Sequence, residues 1–169
     1  PVMASHSSAY VLNAHQRNLK DDQIKAIAKT GGVVFVNFYT GFLDSTYSGK
    51  QRQYNERHKA ELSVLTAKYN SRAKASEEIN SKYRQEIEDM RAPLSLLIDH
   101  IDHMVKLVGP NHVGLGADYD GAESYPKGLD DVSKYPLITE ALLQRGYSGK
   151  DVKKILGGNF VRLLLKAKS

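Results

Sequence analysis

His6 stands in Ser5-His6-Ser7-Ser8-Ala9-Tyr10, and Asp118 stands in Gly114-Leu115-Gly116-Ala117-Asp118-Tyr119-Asp120-Gly121. Each follows an apolar run of strand type, so each side chain sits where a strand stops. In parallel α/β proteins the loops at strand C-termini converge on one open face, where chemistry is done. An imidazole is a common zinc ligand, and a strand-end position fixes its direction. The plain alternative for His6 is a buried ring bonded to nearby backbone or to Ser5. Asp118 and Asp120 flank Tyr119, and strand alternation would aim both carboxylates the same way, as a pair able to accept and return protons. The plain alternative there is a pair of turn-forming Asp residues around Gly121. Arg17, in Ala14-His15-Gln16-Arg17-Asn18, offers a guanidinium able to grip a carboxylate bidentately, or else a solvated loop charge. His100 and His103 lie three apart on a helical stretch beside Asp99 and Asp102, and the four read as that helix's polar face.

The elements that must position these groups follow from periodicity. A first strand covers about 2–5. Ile24, Ile27 and Ala28 share one face of a helix over 21–29, which Gly31-Gly32 stops. Val33-Val34-Phe35-Val36-Asn37-Phe38 is nearly all apolar, as expected of a strand covered on both faces in a parallel sheet. Leu94, Leu97, Ile98, Ile101, Val105 and Val108 mark an amphipathic helix, and 113–117 is a third strand. Helices follow over 137–144, from Ser148-x-x-Asp151, and from Asn159, read as the cap of the last one. Alternating strands and helices predict right-handed crossovers and a parallel sheet. Residues 48–91 differ: they are charged, and Leu62, Leu65, Tyr69, Ile79, Tyr83, Ile87 and Met90 suit one helical stripe, in a long helix or two broken near Asn70-Ser71. The expected organisation is 1–47 with 92–169 as one α/β portion and 48–91 as a helical insertion.

The chain has 169 residues, 41% of them hydrophobic, enough for one domain with a real core. There is no cysteine, which removes thiolate catalysis, disulfides and Cys-bound zinc from these residues. The net charge of +5 is partly local, with ten Lys/Arg against seven Asp/Glu in 50–91. The signs are mixed and no nucleic-acid motif accompanies them, so a nucleic-acid partner is not expected. No apolar run reaches the length that crosses a bilayer. Pro1-Val2-Met3-Ala4 reads as the middle of a strand, and the expectation is that sequence upstream of Pro1 belongs with it.

Several ordered motifs resemble the membrane (renal) dipeptidases: Ser5-His6-Ser7-Ser8-Ala9-Tyr10, Arg17-Asn18-Leu19, Val36-Asn37-Phe38-Tyr39, His100-Ile101-Asp102-His103, 113–121, 128–136 and Ile155-Leu156-Gly157-Gly158-Asn159. They span the chain apart from 48–91. The resemblance implies an α/β fold, the C-terminal half of a (β/α)8 TIM-type barrel with a long helical insertion. It implies zinc-dependent hydrolysis of dipeptides by a hydroxide bridging two zinc ions, with a D-residue tolerated at the C-terminal position. By motif, His6 resembles a zinc ligand, Arg17 the group that binds the substrate's terminal carboxylate, and Asp118 the acid/base residue. The family's His-x-Asp pair, bridging glutamate and further zinc-binding His would lie upstream of Pro1. The expected partners are therefore a dipeptide substrate and the missing N-terminal half of the barrel, with a homodimer as a further option. The isolated chain is expected to be inactive and to hold no stoichiometric zinc. The cell envelope or periplasm is the compartment the resemblance favours. Two other functions stay open: a non-catalytic fragment whose 48–91 segment serves as a helical interaction module, and another metal hydrolase with similar barrel motifs.

Overall fold

The computed structural model describes residues 1–167 and divides into two compact units, Pro1–Ser45 with the chain from Ala92 onward, and Thr46–Arg91. The first unit is α/β. Its strands β1 (Met3–Ala4), β2 (Val33–Asn37) and β3 (Val113–Gly116) form one parallel sheet in the order β1-β2-β3. Met3 pairs with Val33, and Val34 through Asn37 pair with Val113 through Gly116. All three strands therefore end on the same edge. They are shorter than the sequence suggests, because Ser5 and Ala117 lie outside the ladder.

Helix α1 (Asp21–Lys29) starts on two acidic residues, which suit the positive end of its dipole, and Gly31 at φ +75° takes the chain out of it. A short α2 (Thr40–Leu43) follows β2, and in this unit α6 (Leu94–Val108) precedes β3. Val34 and Val36 face a core shared with Ile24 of α1 and Leu97, Ile98, Ile101 and Met104 of α6. Each such side chain, fully removed from water, contributes roughly 1.5–3 kcal/mol. Val33 and Phe35 point the other way and meet Leu163 of α9 (Asn159–Ala167), with Phe160 edge-on to Phe35 at 5.9 Å. This two-sided burial explains the unbroken apolar run.

After β3 come α7 (Tyr135–Gln144), which starts two residues earlier than periodicity suggests, and α8 (Gly149–Lys153). Ser148 caps α8, accepting from the Asp151 amide at 3.2 Å. Asn159 does not cap α9. It is buried, and its amide donates to the carbonyls of Pro110 (2.7 Å) and Val113 (2.8 Å), tying α9 to the start of β3.

The second unit is all helical: α3 (Tyr47–Tyr69), α4 (Arg72–Lys82) and α5 (Arg84–Met90). Asn70 in the left-handed region (φ 46°) breaks the chain after α3, and Ser71 caps α4 by accepting from the Lys74 amide at 3.4 Å. The seven apolar residues expected on one stripe instead face inward from three helices, around Tyr54, Leu65, Ala75 and Ile79.

Candidate functional site

The loops leaving the three strands are fastened to one another by buried polar side chains. After β1, the Ser7 amide donates to Phe35 O (2.9 Å) and the Ser8 hydroxyl to Asn37 O (3.2 Å). Asn18 accepts from the Ser8 amide (3.2 Å) and donates to Asn13 O (2.9 Å) and Phe42 O (2.8 Å). His100 is fully buried; its Nδ1 accepts from the Ala9 amide (2.9 Å) and its Nε2 faces Leu43 O (3.2 Å). An acceptor on one nitrogen and a donor on the other is neutral imidazole. Burial holds its pKa down at about 4. The expectation that His100 lies on a polar helix face is thus corrected: α6 turns His100 inward to bolt two loops together. Asp99 faces outward and Asp102 is largely covered; both accept from Arg145, at 2.8 and 2.6 Å, while His103 meets Asp21 at 2.8 Å. The loop after β3 joins the same framework, with Thr40 N donating to Ser124 O (2.8 Å) and Ser124 Oγ to Thr40 Oγ1 (2.9 Å).

His6 and Arg17 meet on this rim. Arg17 Nη2 lies 3.1 Å from His6 Nε2, and His6 Nδ1 lies 2.6 Å from Ser5 Oγ. A guanidinium only donates, so Nε2 carries the lone pair and Nδ1–H donates to Ser5. The bond to Ser5 suggested by the plain alternative is therefore present, on a ring that is partly exposed rather than buried. Arg17 is exposed, and its backbone is held by Asn18 and by its own amide donating to His15 Nδ1 (3.2 Å).

Asp118 follows β3 with φ 58°, in the left-handed region. That conformation ends the extended segment, and the Gly121 amide closes a turn on Asp118 O at 3.0 Å. Asp118 and Asp120 hence do not share a strand face, contrary to the alternation argument. The Asp118 carboxylate folds over Gly121, where an added Cβ would come within 2.3 Å of Oδ1. Its Oδ2 accepts from Asn37 Nδ2 at 3.3 Å, and Asn37 is itself fixed because its Oδ1 accepts from the Tyr39 amide at 2.5 Å. Tyr125 braces the turn, its hydroxyl lying against the carbonyls of Asp118, Tyr119 and Ala122. Tyr119 points into an aromatic cluster with Phe38, Tyr125 and Tyr135. Among the described residues its hydroxyl is buried without a partner, and burial pushes the phenol up to about 12.

The two halves of the rim come together at Gly116. A Cβ there would lie 2.1 Å from Ser5 O, so the chain leaving β1 crosses directly over the end of β3. His6 is one residue beyond that crossing and Asp118 two residues beyond Gly116. The sequence singles out His6, Arg17 and Asp118; it gives no role to Asn37 or Tyr125 and places His100 on the wrong face of its helix. One polar residue ending an otherwise apolar strand was the available signal for Asn37. Nothing local distinguishes His100 from its neighbours.

As a metal centre the described residues offer little. Among them no three His, Cys, Asp or Glu side chains cluster, and the lone pair of His6 Nε2 is met by a guanidinium. Three or four protein ligands are the rule for zinc. This donor set alone does not fit a metal ion.

Comparison with known proteins places this arrangement. The sequence model of the family described as membrane dipeptidase (peptidase family M19) matches residues 1–169. Dipeptidase aclJ of Aspergillus oryzae is 34% identical over 164 residues, covering 97% of this chain and 29% of that protein. An uncharacterized dipeptidase of Schizosaccharomyces pombe is 34% identical over 167 residues, 98% of this chain and 30% of that protein. Among solved structures, the dipeptidase AC, a metallo peptidase, superposes with a TM-score of 0.67 at 26% identity over 97% of this chain and 36% of its own. A Rhodobacter sphaeroides metallo peptidase, liganded with a phosphinate mimic of the dipeptide L-Ala-D-Ala, gives 0.67 and 26% over 97% and 35%. The chain thus spans about a third of the length of these relatives.

Proposed function

The chain belongs to the membrane dipeptidase family, and we propose that its strand-end rim is the substrate-gripping and proton-handling side of a dipeptide-hydrolysing site. The observation that carries this reading is the crossing of Ser5 over Gly116, which gathers the exits of β1 and β3 on one edge. The solved relative bound to a mimic of L-Ala-D-Ala supports a dipeptide as substrate.

In this reading Arg17 turns from His6 to the terminal carboxylate of the dipeptide, where two parallel N–H···O bonds fix register as well as charge. His6 keeps its ring orientation through Ser5. Asp118 accepts and returns the proton at the scissile bond, held at a constant angle by Asn37 and by the turn over Gly121. A metal would polarise the scissile carbonyl and acidify water. Its ligand shell would need side chains beyond the one imidazole of this rim, supplied by residues outside 1–169. The parallel sheet would then be part of a (β/α)8 barrel, with 48–91 as an insertion in it. Zinc as that metal, and two ions rather than one, belong to the same proposal.

Three measurements test it. Titrating the 169-residue chain with L-Ala-D-Ala should move the amide resonances of residues 15–19, and Arg17→Met should abolish the response; unchanged spectra would sink the carboxylate grip. Metal analysis of the purified chain should find well under one equivalent. In a polypeptide joining residues 1–169 to the preceding part of a family relative, Asp118→Asn should lower kcat by about 10²–10⁴ with little change in KM, as loss of a proton-transfer group does.

A further inference from the structure

We propose that the cleft at the opposite, opening ends of the strands binds a small oxyanion of the phosphate class. The site is independent of the dipeptide reading. It is a surface cavity of about 480 Å³, walled by the segments that enter β2 and β3 and by the turn that joins α8 to α9. Its lining includes Lys153, Lys154, Arg162 and His112, together with Lys166, which has a partner of its own, and among the described residues none of its lining side chains is a carboxylate. Lys154 is offset by Asp151, with 2.8 Å between them. Arg162 is not offset in that way. Its Nη1 donates to Gly31 O (2.8 Å) and its Nη2 to Asn111 O (2.7 Å). Carbonyls aim a guanidinium without cancelling its charge, and three of its five N–H donors stay available. The cation is therefore set in place before any ligand arrives, so little ordering cost remains.

The other walls are also held. His112 Nδ1 is 2.8 Å from Gly32 O, which fixes the imidazole plane. Asn159, buried behind the cleft, is tied to Pro110 and Val113. Gly31, at φ +75°, lines the cleft beside the Arg162 guanidinium that its carbonyl accepts from. The chain also leaves regular α-helix here, at a kink centred on Gly157.

A concave wall that carries fixed positive charge concentrates the field on an incoming anion. A fixed guanidinium plus lysines at the rim suit an anion carrying close to two charges on three or four oxygens, better than a single carboxylate. The volume exceeds that of bare phosphate and admits a phosphomonoester.

The test uses the 169-residue chain with inorganic phosphate and with glycerol phosphate as probes, against chloride and acetate at constant ionic strength. Calorimetry should show one saturable equivalent for a phosphate probe, with the amides of Gly31, Asn111 and Gly158 shifting together and the melting temperature rising with ligand. Tighter binding of glycerol phosphate would assign the site to esters; tighter binding of the inorganic ion would assign it to free phosphate. Lys153→Gln, an exposed change that leaves the Arg162 anchors alone, should weaken binding at least five-fold. Phosphate behaving like acetate, or Lys153→Gln binding like the parent chain, would overturn the proposal.

Discussion

The α/β unit and the helical unit of this chain hold themselves together by different means. In the first, fully buried polar residues such as Ser8, Asn37, Thr40 and His100 each meet partners on another loop, so positions along the rim are over-determined. In the second, a small apolar centre is ringed by partly exposed polar pairs: Glu61 with Lys82 (2.6 Å) and Tyr83 (2.7 Å), Glu86 with Arg57 (2.6 Å) and His58 (3.2 Å), and the His58 ring stacked on Tyr83 at 3.8 Å. Buried hydrogen bonds penalise any displacement by leaving a desolvated group unpaired, whereas exposed ion pairs re-form with water at little cost. Groups that must be placed to fractions of an ångström belong on the first kind of scaffold. The second kind supplies surface and length.

That contrast can be broken at its strongest point. Gly116→Ala puts a methyl group 2.1 Å from the backbone oxygen of Ser5 and 3.0 Å from Phe35 Cβ, and should cost about 3 kcal/mol or more by forcing the β1 exit away from β3. Urea denaturation would read the loss, and amide shifts confined to residues 4–8 and 116–121 would locate it. Next comes acid. His100 is neutral in the fold, with a pKa near 4, against about 6.5 when unfolded. The unfolded chain therefore binds the extra proton first as pH falls. The stability attached to this residue is complete above about 6.5 and drains away toward 4, by up to about 3 kcal/mol. Unfolding free energies at pH 7.5 and 4.5 should differ accordingly, and the difference should shrink in His100→Gln. Ile79→Ala in the helical unit should cost about 2 kcal/mol, at the low end for a buried isoleucine, because that centre is small and able to collapse. The smallest effect is expected for Lys82→Met, which removes one exposed ion pair and should leave the urea midpoint almost unchanged. A larger loss there than at Gly116 would erase the distinction between the units.

Much of the α/β unit is legible from local pattern. Helix α1 spans the residues that periodicity marks, and the apolar run of β2 correctly implies cover on both faces, because these features depend on neighbours in sequence. The break at Asn70-Ser71 is readable for the same reason. The rim is only half readable. His6, Arg17 and Asp118 can be named from motifs, and the structure puts the first two in contact, yet the fixing of Asp118 by Asn37 spans 81 residues and leaves no periodic trace. The same distance effect hides His100, whose partners are 91 and 57 residues away, and Asn159, which the cap rule assigns to the wrong task. At Asp118 the local sequence offers both strand alternation and a turn around Gly121, and the left-handed residue selects the turn.

Asn159 carries one more consequence. Its forked amide moors β3 at the end opposite to Asp118, so the strand is a lever with its pivot in the last helix. Trimming the chain back to Gly158, or exchanging Asn159 for leucine, would slacken that mooring and let the far tip wander. A change at the tail would then be felt as a loosened carboxylate at the rim, a whole strand's length away.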